Sequence, residues 1–82
     1  MNNSFYNDFA ARFAATTLTS LVESFNNQVG KRGFNSARAA YDQALIDEFV
    51  RRGIDVSAVF DGTTISFAHY VDLDNNILVI KK

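Results

Sequence analysis

The sequence predicts an α+β domain with two N-terminal helices packed on one face of a three-stranded antiparallel β-meander, in the order ααβββ. Three observations carry that expectation. Between residues 63 and 73, Ile65, Phe67, Val71 and Leu73 are apolar while Thr64, Ser66 and Asp72 are polar, the period of two of a half-buried strand. Turn-forming residues, Asp61-Gly62 and Asp74-Asn75-Asn76, stand on either side of that run. Upstream, residues 4–29 and 35–52 carry apolar side chains at helical rather than strand spacing.

The first helix is expected over residues 4–29, with Ser4 as a capping residue and Gly30 as its stop. Its apolar positions do not form one stripe. Phe5, Phe9 and Phe13 share one face, whereas Leu18, Leu21, Val22 and Phe25 share another that lies nearly opposite at about 100° per residue. Either the helix breaks between residues 15 and 20, where the threonines are poor helix formers and Ser20 with Glu23 resembles a capping box, or it continues and turns one face to a second chain. Ala10, Ala11, Ala14 and Ala15 favour the continuous helix.

The second helix, over 35–52, has clearer punctuation. Asn35 can cap it, Gly53 can end it, and Ile54 can touch Phe49 across the stop as in a Schellman motif. Ala37, Ala40, Tyr41, Ala44, Leu45 and Phe49 make the expected inward face. Asp42, Asp47 and Glu48 are expected on the solvent side, with Asp47–Arg51 and Glu48–Arg52 as i, i+4 ion pairs.

Strands are expected over 55–60, 63–73 and 77–81. A two-residue Asp61-Gly62 turn would pair Phe60 with Thr63, Ala58 with Ile65 and Val56 with Phe67. An Asn75-Asn76 turn would pair Leu73 with Leu78 and Val71 with Ile80. The covered face then holds Val56, Ala58, Phe60, Ile65, Phe67, Val71, Leu73, Leu78 and Ile80. The reverse face, with Val59, Tyr70, Ile77 and Val79 among its polar residues, is too apolar for an ordinary solvated surface.

Composition narrows the function classes. The chain has 82 residues, one domain's worth, and a formal net charge of −1, so no global field draws it to nucleic acid or to an acidic membrane. The absence of cysteine removes disulfide, thiolate and zinc-finger chemistry. No apolar run approaches the ~20 residues of a membrane span, and the polar start Met1-Asn2-Asn3-Ser4 lacks the features of a signal peptide. A soluble, cytoplasmic protein is the expectation.

Catalytic and metal motifs are weak. His69 is the one histidine, and Ser57 and Ser66 would point to the opposite sheet face, so no nucleophile–base pair assembles. Asp72, Asp74 and Asn76 match the opening of a calcium loop, but Ile77 stands where that loop needs glycine and no glutamate closes it. Turn chemistry explains those residues. No catalytic residue, metal site or cofactor is therefore expected.

The leading expectation is a small non-enzymatic protein-binding or regulatory module that self-associates, of a size that also suits an inhibitor or accessory protein of a larger partner. Its candidate contact residues are Phe5, Phe9 and Phe13 on the first helix and Tyr70, Ile77 and Val79 on the reverse sheet face. Ordinary packing against the second helix is the competing reading of the phenylalanines. The alternative function is nucleic-acid or phosphate binding by Lys31, Arg32 and Arg38, placed between two glycines and the second helix's start.

Overall fold

A computed structural model of the chain describes residues 4–31 and 35–81. Its elements run α1 (Ser4–Ala14), α2 (Leu18–Gln28), α3 (Ser36–Arg51), β1 (Val71–Asp74) and β2 (Ile77–Ile80). The α+β class therefore stands, but the three-stranded meander with two helices does not: there are three helices and one two-stranded antiparallel sheet among the described residues.

The continuous first helix is the first correction. The chain breaks after Ala14, and Thr17 caps α2 by accepting from the Ser20 amide at 3.2 Å. Thr16 contributes to the break by donating its hydroxyl to the Arg12 carbonyl at 2.8 Å, the local competition that makes threonine a poor helix interior. The cap is thus Thr17 rather than Ser20. The side chain of Ser4, expected to cap α1, lies outside what the structure describes. With the break, both apolar faces turn inward: Phe13, Leu21 and Phe25 all enter one core.

α1 packs chiefly on α3, and α2 touches both α3 and the hairpin. Asn35 caps α3 by accepting from the Arg38 amide at 2.8 Å. At its end Gly53, with φ of +80°, lets the Ile54 amide reach the Phe49 carbonyl at 2.9 Å and its own amide reach Val50 at 2.9 Å, a Schellman motif as expected. Ala44, Leu45, Ile46 and Phe49 are buried, and Phe9 and Phe13 pack edge-to-face on Tyr41 with ring centroids 5.1 Å apart. Burial extends around the helix to Asp42 and Glu48, which the amphipathic pattern had put in solvent.

The expected strand over 55–60 is a turn instead. Asp55 Oδ1 takes the Ser57 amide at 2.8 Å, and the Val59 and Phe60 amides both turn back to the Val56 carbonyl. This side-chain acceptor offers the backbone an alternative to a ladder. Val56 and Val59, three apart as a helical turn requires, are buried, while Ala58 is exposed. Asp61 behaves likewise, accepting from the Thr63 and Thr64 amides at 2.8 and 2.7 Å. That lengthens the loop, so Phe60 bridges Ile65 rather than Thr63. The slip is by two residues, which preserves side-chain parity, and Ile65 and Phe67 still pack on the core.

The long middle strand is also shortened. Phe67 is drawn under α2, its ring 4.7 Å from that of Phe25 and its carbonyl bonded to the Gly30 amide at 3.3 Å. The chain then bends at Ala68 and His69 before β1 begins, and His69 is exposed rather than inward. From there the expected register holds: Val71 faces Ile80 and Leu73 faces Leu78 across Asn75 and Asn76, whose φ values of 50° and 66° suit a type I′ turn.

α2 holds the hairpin by one side chain. Asn26 donates to the Val71 carbonyl at 3.0 Å and accepts from the Val71 amide at 2.8 Å, imitating a neighbouring strand. Asn26→Ala strands both groups of a buried residue, and an expected loss of about 2 kcal/mol follows, checked by urea unfolding. Asn26→Asp, which keeps only the acceptor, is expected to lose a large part of the same stability.

Candidate functional site: the outer face of the hairpin

Residues opposite one another in an antiparallel ladder share a face. The register therefore places Asp72 with Val79 and Asp74 with Ile77 on the side away from the core. Lys81, whose amide donates to the Tyr70 carbonyl at 2.8 Å, continues that face with Tyr70. Tyr70 is 56% and Ile77 44% exposed, and Val79 between them is half-buried. The inner side carries Val71 and Leu78, both buried, so the two sides of one hairpin differ sharply in environment.

The far edge of β2 has only a short cover. Asp55 donates to the Asn76 carbonyl at 2.8 Å and accepts from the Leu78 amide at 2.9 Å. The chain turns away at Ser57, so this cover stops before Ile80, which is 38% exposed. An uncovered edge beside an apolar face is the arrangement through which strands recruit further protein.

The phenylalanines of α1 are divided. Phe13 lies inside the core and Phe9 is half-buried against Tyr41, so the helix–helix packing takes both. Only Phe5 remains at the surface, 47% exposed beside Asp8 and Arg12. Breaking of the helix at Thr16–Thr17 is the reason, since it frees α1 to turn its phenylalanine face onto α3.

Of the basic trio, Lys31 is exposed and Arg32 lies outside the described residues. Arg38 spends its guanidinium inside the chain, donating to the carbonyls of Gln28 and Lys31 at 3.4 Å each and standing 3.8 Å from Asp42 Oδ2. Asp72, Asp74 and Asn76 are exposed along the hairpin, and no group of three or more potential metal-binding side chains occurs among the described residues.

Two buried acids on α3 have different environments. Glu48 receives hydrogen bonds from both Arg51 and Arg52, with Arg52 Nε at 2.6 Å, and Arg52 reaches on to the Phe13 and Thr16 carbonyls at the end of α1. The Arg51 hydrogen bonds, helped by those of Arg52, hold the Glu48 carboxyl below its usual range despite burial. Asp42 lacks such company. Burial pushes its carboxyl up, Arg38 pulls it only partly back, and Oδ1 has no hydrogen-bond partner. On the neighbouring turn, Asp47 accepts from Gln43 at 2.9 Å and from Tyr6, which raises the Tyr6 phenol above its usual value.

Sequence reasoning missed Asn26 and Asp42 as structural anchors. The expected Glu48–Arg52 pair forms, at 2.6 Å, whereas Arg51 turns to Glu48 rather than to Asp47, which accepts from Gln43 and Tyr6. Comparison of the chain with protein-family models, with curated proteins and with solved structures found no match. No helix among the described residues is long and apolar enough to cross a membrane.

Proposed function

We propose that the chain is a small non-enzymatic protein-binding module that self-associates through the outer face of its C-terminal hairpin. The supporting observation is the order of side chains on that face. Tyr70, Val79 and Ile77 lie among Asp72 and Asp74 toward the turn and Lys81 toward the open end.

Such a surface is self-complementary. Two copies stacked about a two-fold axis near the Asp72–Val79 pair bring the lysine end of one over the acidic end of the other. Val79 then lies near the axis, and Tyr70 of each copy meets Ile77 of the other, as an isologous interface requires. Burial of Tyr70 supplies the aromatic anchor that such contacts depend on. A regulatory role follows if a larger partner competes for the same face.

Sedimentation velocity tests this reading. The wild-type chain is expected to sediment as a concentration-dependent dimer, weakened at least ~10-fold, or about 1.4 kcal/mol, by Ile77→Asp with unchanged circular dichroism. Tyr70→Asp is expected to act in the same direction. A wild-type monomer throughout, or a dimer indifferent to both substitutions, would remove the proposal.

A further inference from the structure

β1 has two edges, and β2 covers one of them. Backbone groups along an antiparallel strand alternate between its two edges. The Lys81 amide bonds the Tyr70 carbonyl from the β2 side, so Tyr70, Asp72 and Asp74 turn their groups to β2, and Val71 and Leu73 turn theirs to the other edge. Asn26 of α2 marks that edge, because its side chain bonds both the amide and the carbonyl of Val71. Both bonds exchanged with a single residue is the pattern of an antiparallel neighbour. The imitation stops there. Among the described residues, the Leu73 amide and carbonyl have no hydrogen-bond partner.

A groove of 320 Å³ between α2 and this edge is lined by Asn26 and, on its walls, by Leu18, Val22 and Leu73. These three side chains pack against the core and stay half-buried. Asp72 and Asp74 flank Leu73 with their side chains on the hairpin's outward side, and Glu23 adds a third carboxylate from α2. All three acids are exposed, and none forms an ion pair among the described residues. Lys81 stands two positions back, opposite Tyr70, so the acids dominate beside Leu73.

Residues paired across neighbouring strands share a face. A strand added antiparallel at Leu73 therefore puts one side chain on the side of Leu18 and Val22, and the two flanking side chains beside Asp72 and Asp74. From this geometry we infer that the edge of β1 takes an extended segment of a partner protein with the pattern basic–apolar–basic, whose central residue exchanges both backbone bonds with Leu73. This site uses the edge of the hairpin rather than its outer face, and it does not rest on self-association.

The probe is the peptide acetyl-Thr-Lys-Val-Lys-Thr-amide, titrated into the whole chain while the Val22 and Leu73 amides and the Asn26 side-chain amide are followed by NMR. Wild type and Ile77→Asp are both titrated, and saturable shifts are expected in each. Methylation of the valine nitrogen removes the donor to the Leu73 carbonyl, and glutamate in place of both lysines reverses the charge. Each change is expected to weaken binding at least tenfold, as is Asp72→Lys, a substitution at an exposed position. No saturable shift, shifts lost in Ile77→Asp, equal binding of the methylated peptide, or indifference to both charge changes would each overturn the assignment. A wild type that stays monomeric yet binds the peptide removes the self-association reading alone, and a dimer that ignores the peptide removes this one alone.

Discussion

Phe49→Ala is expected to remove about 4 kcal/mol of folding stability, the usual cost of emptying a fully buried phenylalanine site. Phe49 has no exposed surface and stands in the core cluster with Leu45, Ile54 and Leu78. A chain of this length has roughly 4–12 kcal/mol to lose, so the variant should be close to unfolded at room temperature. Phe5→Ala is the matched control. It truncates the same side chain where it is 47% exposed, and is expected to change stability by no more than about 0.5 kcal/mol. Urea unfolding of the pair separates a core centred on α3 from one spread evenly over the phenylalanines. Equal losses would contradict the packing described here.

Glu48→Ala is the second large effect, an expected loss of about 3 kcal/mol, since removing one member of a buried ion cluster leaves the others without compensation. The lower end of the usual range applies because Arg51 is largely exposed and can turn to water. The arrangement also predicts a pH dependence. The Glu48 carboxyl is held below its ordinary value of 4.5, so its stabilising share is present above that value and is lost as pH falls through the lower folded-state value. Asp42 works in the opposite sense. Its carboxyl is raised above 3.8, so the native state takes up a proton first, and this group's share of stability rises as pH falls through the raised value. Glu48→Gln should therefore flatten the acid limb of stability against pH, and Asp42→Asn should leave that limb at least as steep. Urea midpoints across the acid range check both signs.

The legible parts of the fold were those with local physical causes. Asn35 and Gly53 bound α3 as their chemistry dictates, and Asn75-Asn76 sets a hairpin whose register follows from the turn. The alternation of Val56, Ala58 and Phe60 predicts a strand over 55–60, which Asp55 and Asp61 prevent. Their side chains capture the amides that a ladder would have used. The break at Thr16–Thr17 was visible as a contradiction between two opposed apolar faces. The alanines before it favour one helix by propensity, but only a break lets both apolar faces be buried. Asp42 and Glu48 were beyond reach of local pattern. Their burial depends on how many neighbours surround α3, and a helix covered on several sides no longer advertises one polar stripe.

The outward placement of Tyr70, Ile77 and Val79 was legible, because they alternate with a buried set along a hairpin of fixed register. Phe9 and Phe13 could not be placed without knowing where the helix breaks. The groove beside Leu73 was invisible in the sequence, since it sets β1 against α2, with 45 residues between Asn26 and Val71, a pairing no periodicity announces.

Self-association through the hairpin face is tested most directly by amide chemical shifts recorded from dilute to concentrated protein. Shifts confined to Tyr70, Asp72, Ile77, Val79 and Lys81, and absent in Ile77→Asp, are the predicted result. Shifts centred on Phe5 and its helix, or none at any concentration, would contradict it.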